Sequence, residues 1–270
     1  MKRFVIFTVA ALAAASFSSS AMAGTLYALS DFAGSSKLIS IDTGTGAGTT
    51  VATVTGAAGS AFIGLTWDGT QFLSIDAATD RLYAINLAGT ATLIGATGED
   101  DIEGYLDFDP VSGKLYGGWR NLYQISTATG AASFIGATGR DDPSGLAFDG
   151  LGNAYLMDTH VNTGGAAELF TINTGTGATT SVGPWGPKLG DALGGLAFDG
   201  GVLYGIWADS LYSINTTTGA ATLIGATGFS EVASLASVTL VGAQVPLPTS
   251  ALMGLGMRGV LGAFRFRRRS

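Results

Sequence analysis

The stretch LYSINTTTGAATLIGATG, residues 211–228, is a second writing of LYQISTATGAASFIGATG, residues 122–139, which lies 89 positions upstream. An enzyme organised around one site has little use for such duplication, whereas a fold assembled from equivalent units requires it. Aligning the chain on the isoleucine that closes LYSI finds five copies, at Ile41, Ile85, Ile125, Ile172 and Ile214, spaced 44, 40, 47 and 42 residues apart. A period of about 40–50 residues belongs to propeller blades and is too long for leucine-rich or ankyrin units.

Each period holds versions of four short segments. GLAFD occurs at 145–149 and 195–199, with GLTWD from Gly64 and GYLDFD from Gly104 as variants. LYGI starts at Leu203, with LYAL from Leu26 and LYGG from Leu115. LYSI follows, and then ATLIG, from Ala91 and Ala221, with ASFIG from Ala132. All are apolar, aromatic or alternating runs bounded by turn formers, which is the signal of a strand. FDG and FDP close hairpins after the first segment, because Asp tolerates turn geometry and Gly supplies positive φ. TTTGA and TATGA turn the chain before the fourth segment, with Gly219 and Gly130 at the left-handed position. No sustained helical period appears, and the 42 glycines suit a chain that turns every few residues.

The expected fold is all-β, a five-bladed β-propeller of four-stranded antiparallel blades. The repeat region opens at LYAL, a second segment, and ends with SLASVTL from Ser234, which stands where GLAFD would. The C-terminal strand should therefore complete the first blade and remove an exposed sheet edge. A parallel β-solenoid is the competing architecture, although its coils are usually shorter than this period. The repeat resembles those of exported bacterial propellers generally.

The ends read differently. Residues 1–23 have the parts of a secretory signal: Lys2 and Arg3, the apolar run FVIFTVAALAAA, and a small-x-small site at Ala21-Met22-Ala23. Ser18, Ser19 and Ser20 cut the run short of the about 20 apolar residues an anchor needs. The propeller domain is expected over 24–243, and 244–270 form a separate tail. That tail begins with Val245, Pro246, Leu247 and Pro248, continues as a small and apolar stretch, and ends in Arg265, Arg267, Arg268 and Arg269. Its order of parts resembles the PEP-CTERM sorting signals of Gram-negative bacteria, in the variant opening Val-Pro-Leu-Pro. The resemblance covers about 26 residues. It implies processing by an exosortase-type enzyme, transient membrane association, and display at the surface of a Gram-negative cell or in its exopolysaccharide. An ordinary membrane anchor, with the arginines held on the cytoplasmic side, is the other physical reading.

Charge excludes one class of partner. Two of the 13 Lys and Arg lie in the leader and five in the tail, so six face 20 Asp and Glu, a balance near −14 for the mature domain. Nucleic acid binding needs a basic face and is not expected. With no Cys and a single His, His160, neither a Cys–His pair nor a multi-histidine metal site can be built. His160 reads as a solvated residue of the loop MDTHVNTGG.

The carboxylates are better organised. In a propeller, loops leaving second strands and loops entering the next blade open on one face. The first set holds Asp31, Asp76, Asp158 and Asp209; the second holds Glu99, Asp100, Asp101, Glu103, Asp141, Asp142, Asp191 and Glu231. Asp100, Asp101, Asp141, Asp142 and Asp191 are the candidate metal ligands, suited to Ca²⁺ and its six to eight oxygens. Trp119, Trp185 and Trp207 belong to the same loops and could stack on sugars through their apolar faces. Solvating charge on an acidic exported protein is the plainer reading of these carboxylates. Asp68, Asp109, Asp149 and Asp199, in the opposite hairpins, read as structural. The chain is thus expected to be a non-catalytic propeller that binds exopolysaccharide or another surface protein. A metal-dependent polysaccharide hydrolase or lyase and a purely structural surface protein are the alternatives.

Overall fold

A computed structural model describes residues 25–30, 36–57, 61–159, 167–186 and 194–238. Residues 1–23, the tail from 244 to 270, Asp31, His160 and Asp191 lie outside the described residues. Among those described there are twenty strands and no helix. Blade 1 takes β1 (Thr25–Ser30), β2 (Lys37–Ile41) and β3 (Gly48–Thr53); blade 2 takes β4 (Phe62–Trp67), β5 (Phe72–Asp76), β6 (Arg81–Ile85) and β7 (Ala91–Ala96). Blade 3 is β8 (Tyr105–Asp109), β9 (Lys114–Gly118), β10 (Asn121–Ile125) and β11 (Ala132–Ala137). Blade 4 is β12 (Pro143–Phe148), β13 (Ala154–Asp158), β14 (Glu168–Ile172) and β15 (Thr179–Pro184). Blade 5 is β16 (Gly194–Asp199), β17 (Val202–Trp207), β18 (Ser210–Ile214) and β19 (Ala221–Ala226), and β20 (Ala236–Val238) closes the chain.

The strands form five four-stranded antiparallel sheets, and β20 joins β1, β2 and β3 as the innermost strand of blade 1. Leu26 pairs with Ser237 and Tyr27 with Ala236. Two further bonds tie the junction: Leu29 N–H donates to Ser234 Oγ at 3.2 Å, and Ala233 N–H donates to the Leu29 carbonyl at 3.1 Å. The first blade is thus built from both ends of the domain, as the order of segments required. Among the described residues the closing strand spans Ala236–Val238, so Ser234 and Leu235 precede it, and residues 239–240 of the stretch that the repeat suggested lie outside the described residues.

Why LYSI recurs is visible in the packing. The buried side chains fall into five clusters, one between each pair of neighbouring blades. In β10, Leu122 packs toward blade 4 while Tyr123 and Ile125 pack toward blade 2. In β18, Leu211 packs toward blade 1 while Tyr212 and Ile214 pack toward blade 4. A strand's two faces alternate with period two, so Leu fills one inter-blade layer and Tyr and Ile fill the other. Both faces of this strand meet a neighbouring blade, whereas the outermost strand of each blade is largely exposed, and the motif is written accordingly.

The turn before each fourth strand has a second duty. Asp42, Asn86, Ser126, Asn173 and Asn215 accept backbone N–H bonds from the turn, and the following glycines have positive φ, 81° at Gly130 and 76° at Gly219. These turns press on the outer strand of the preceding blade. A Cβ on Gly130 would lie 2.5 Å from the Gly95 carbonyl oxygen, and one on Gly219 would lie 2.1 Å from that of Gly183. Blade-to-blade hydrogen bonds run beside these joints, from Ala132 N–H to the Thr97 carbonyl and from Gly48 N–H to the Thr227 carbonyl, both at 2.9 Å. The duplicated GATG and TTTG segments are two halves of one inter-blade joint.

The axis itself is closed. Leu65, Leu106, Leu146 and Leu196 come from the innermost strands of blades 2 to 5 and Leu235 immediately precedes β20, and each is at most 3% exposed. The void left between them is about 10 Å³, at the limit of a single water.

Candidate functional site

Among the described residues, several carboxylates of the expected acidic face hold their own loops in place. Asp76 and Asp158 are fully buried. Asp76 Oδ1 accepts from Ala78 N–H at 3.1 Å, and Asp158 accepts the N–H groups of Asp141 and Asp142 at 3.4 and 3.2 Å. Asp142 takes Thr159 Oγ1 at 2.6 Å and the Trp119 indole N–H at 3.3 Å, while Asp101 takes Asn121 Nδ2 at 2.6 Å. Burial, and then the charges of Asp100 and Asp76, raise the carboxyl of Asp80; burial and the charges of Asp80, Asp101 and Asp100 do the same for Glu103. Among the described residues, no three His, Asp or Glu side chains are placed to hold one metal ion.

The tryptophans singled out on these loops are not free platforms. Trp185 is 1% exposed and Trp207 4%, both packed in the layer between blades 4 and 5. Trp185 sits on Gly205, where a Cβ would come within 2.3 Å of its ring. Trp207 is the last residue of β17 rather than a loop residue and Trp185 directly follows β15, and both indoles fill the core, where burial of a large ring stabilises most. Trp119 is half-buried, and the Arg120 guanidinium lies 4.4 Å over its ring.

A broad concavity lies on the other face, around the axis. The five innermost strands end there in equivalent positions: Thr66, Asp107, Ala147, Ala197 and Ala236, followed by Trp67, Phe108, Phe148, Phe198 and Ser237. These ends and the first hairpins of blades 2 to 5 enclose an open basin of about 720 Å³. That volume is within the range of ligand pockets. Asp68, Asp109 and Asp149 shape the rim by accepting N–H bonds within their own hairpins, from Thr70, Val111 and Leu151. Asp199 instead accepts Ser237 Oγ at 2.9 Å and so pins blade 5 to the closing strand. Trp67, Phe108, Phe148, Tyr155 and Phe198 contribute aromatic wall, with Tyr155 and Phe198 at 5.5 Å between ring centres.

Asp107 is the exceptional residue in this ring. Its Oδ1 accepts from Thr66 Oγ1 at 2.6 Å and its Oδ2 from Phe148 N–H at 2.8 Å, so one carboxyl links blades 2, 3 and 4. Burial among apolar walls pushes its pKa up to about 7, against the hydrogen bonds that favour the anion, with a smaller push from Asp109. The charge at the basin is one-sided: Asp68, Asp107 and Asp149 line it, and no Lys, Arg or His among the described residues does. Sequence reasoning missed this site. The signal was a carboxylate in GYLDFD where the other blades have Thr or Ala.

No family model matches the chain, and no curated protein does. The fold is similar to a chain in the crystal structure of a nidogen/laminin complex, with a TM-score of 0.52 and 16% identity over 76% of this chain and 78% of that one. It is also similar to a structural-genomics protein of unknown function from Bacteroides thetaiotaomicron, with a TM-score of 0.51 and 14% identity over 73% of this chain and 55% of that one. At such identities the likeness is one of overall fold alone.

Proposed function

We propose that this chain is an exported, surface-sorted, non-catalytic propeller that binds a partner at the cell envelope or in the exopolysaccharide matrix. The axial basin carries the reading. It is large enough for a ligand or a loop, it is walled by aromatic rings from four blades, and its walls are fixed by hairpin caps rather than by a closing lid. Export and surface sorting rest on the leader and on the tail with its Val245-Pro246-Leu247-Pro248 motif and terminal arginines. An exosortase-type enzyme is the processing partner that this tail implies. A fold neighbour taken from a nidogen/laminin complex supports partner binding as a use of the architecture. The single His and the absence of Cys favour binding over catalysis.

The test uses Leu151, which is 82% exposed on the basin rim, so its replacement cannot disturb the core. Binding of the purified chain to envelope material from the cells that make it should saturate. Leu151→Arg should abolish that binding, and Asp141→Asn, on the opposite face, should leave it unchanged. Polysaccharide turnover by the wild-type chain, or binding lost only with Asp141→Asn, would favour a hydrolase or lyase, or an acidic-face binder, instead.

A further inference from the structure

We propose that the axial basin receives a positively charged side chain, lysine or arginine, presented by a partner protein; the inference deepens the binding role proposed above and rests on it. Three features converge on a cation. The basin is lined by the carboxylates of Asp68, Asp107 and Asp149, with no basic residue among the described residues to offset them. Its walls carry aromatic side chains, whose ring faces attract ammonium and guanidinium groups through the ring quadrupole, more strongly where water is excluded. And Asp107 stands on the floor between blades 2 and 4, held by Thr66 and Phe148, so its geometry is set before any ligand arrives. An anionic ligand would meet uncompensated carboxylates. A neutral sugar would use the rings but leave the floor carboxyl without a counter-charge. A cation satisfies both, and its alkyl stem covers apolar wall on the way in. The volume of about 720 Å³ exceeds one side chain and leaves room for the loop that carries it.

The Asp107 carboxyl makes the interaction pH-dependent. The groups facing it are Thr66 from β4, Asp109 on its own strand and the Phe148 N–H from β12, with Asp68 and Asp149 on the flanking hairpins. With its pKa near 7, the carboxyl is about one-tenth ionised at pH 6 and about nine-tenths at pH 8. Affinity for a cation should rise about tenfold over that interval, and affinity for a neutral ligand should not follow it.

The experiment titrates the purified chain, by calorimetry and tryptophan fluorescence, with N-acetyl-lysine methylamide and N-acetyl-arginine methylamide at fixed ionic strength. The uncharged N-acetyl-norleucine methylamide and a neutral disaccharide are the controls. The expected result is saturable binding of a basic probe, at least tenfold tighter than the norleucine analogue and about tenfold tighter at pH 8 than at pH 6. Asp107→Asn, confirmed folded by its melt, should flatten the pH dependence. Leu151→Arg, which places a tethered guanidinium at the rim, should compete and lower affinity severalfold without touching the core. Equal binding of lysine and norleucine probes, disaccharide binding without pH dependence, or no saturable signal from either basic probe would overturn the proposal. Envelope binding that stays sensitive to Leu151→Arg after such a result would mean that the binding role holds and only the ligand class fails.

Discussion

Raising the pH from 5 to 8 should destabilise the propeller through one carboxyl, that of Asp107. The group's ordinary value is 3.8, and burial raises it to about 7 in the folded chain. The folded state therefore keeps a proton that the unfolded chain has already released, and stability falls as pH climbs through this window. Sign and size follow together. One pKa unit is worth about 1.4 kcal/mol, so the two units between pH 5 and 7 would remove about 3 kcal/mol for a carboxyl sealed from water. Asp107 is half-buried at the floor of an open basin, and screening there reduces the loss to about 1.5 kcal/mol. For a domain of this size that corresponds to a fall in Tm of about 3–6 °C. Asp80 and Glu103 are also raised and act in the same direction, so the informative quantity is a difference between variants. Asp107→Asn keeps the acceptor for Thr66 but loses that for the Phe148 N–H, at a pH-independent cost of about 1–3 kcal/mol. Thermal melts at constant ionic strength should show the wild-type and variant curves converging as pH rises from 5 to 8. Parallel curves would mean that Asp107 is ionised throughout, and the electrostatic description of the basin would be wrong.

Three further outcomes are expected. Gly130→Ala should cost at least twice what Gly139→Ala costs in urea denaturation: both have positive φ, worth about 1–2 kcal/mol of strain, but only Gly130 faces a carbonyl, 2.5 Å from its would-be Cβ. Intact-mass measurement of cell-surface material should find a chain lacking residues 1–23 and the Arg267, Arg268 and Arg269 end; retention of those arginines would make the tail an ordinary anchor. Millimolar Ca²⁺ should shift the melt little, because the carboxylates of Asp101, Asp142 and Asp158 already accept hydrogen bonds in the loops they order; a rise that disappears in the Asp100→Asn, Asp141→Asn double variant would restore a metal role for that face.

The architecture was legible because its determinants are local and repeated. Leu, Tyr and Ile in LYSI each have one inter-blade layer to fill, and the same demand writes the same or similar letters in every blade, with Ile39 and Phe170 in place of Tyr in blades 1 and 4. Closure was legible because SLASVTL supplied the strand missing from the first blade. The site was not. Position in the repeat told which face Trp185 and Trp207 stand near, but their burial depends on a neighbour distant in sequence, such as Gly205 beneath Trp185. Likewise Asp68 and Asp149 are hairpin caps by local chemistry, and only the gathering of five strand ends around the axis turns their hairpins into the wall of a basin. Asp107 could have been noticed as the odd member of a series, but a single sequence does not say what an odd member faces.

The proposed binding role requires that partners engage the hairpin face around the axis and not the acidic loop face. Hydrogen exchange of the chain, free and bound to envelope material, tests it directly. Protection on binding should concentrate in residues 68–71, 110–113, 149–152 and 199–202, the hairpins that wall the basin. Protection confined to residues 99–103 and 140–142, with those hairpins unchanged, would contradict it.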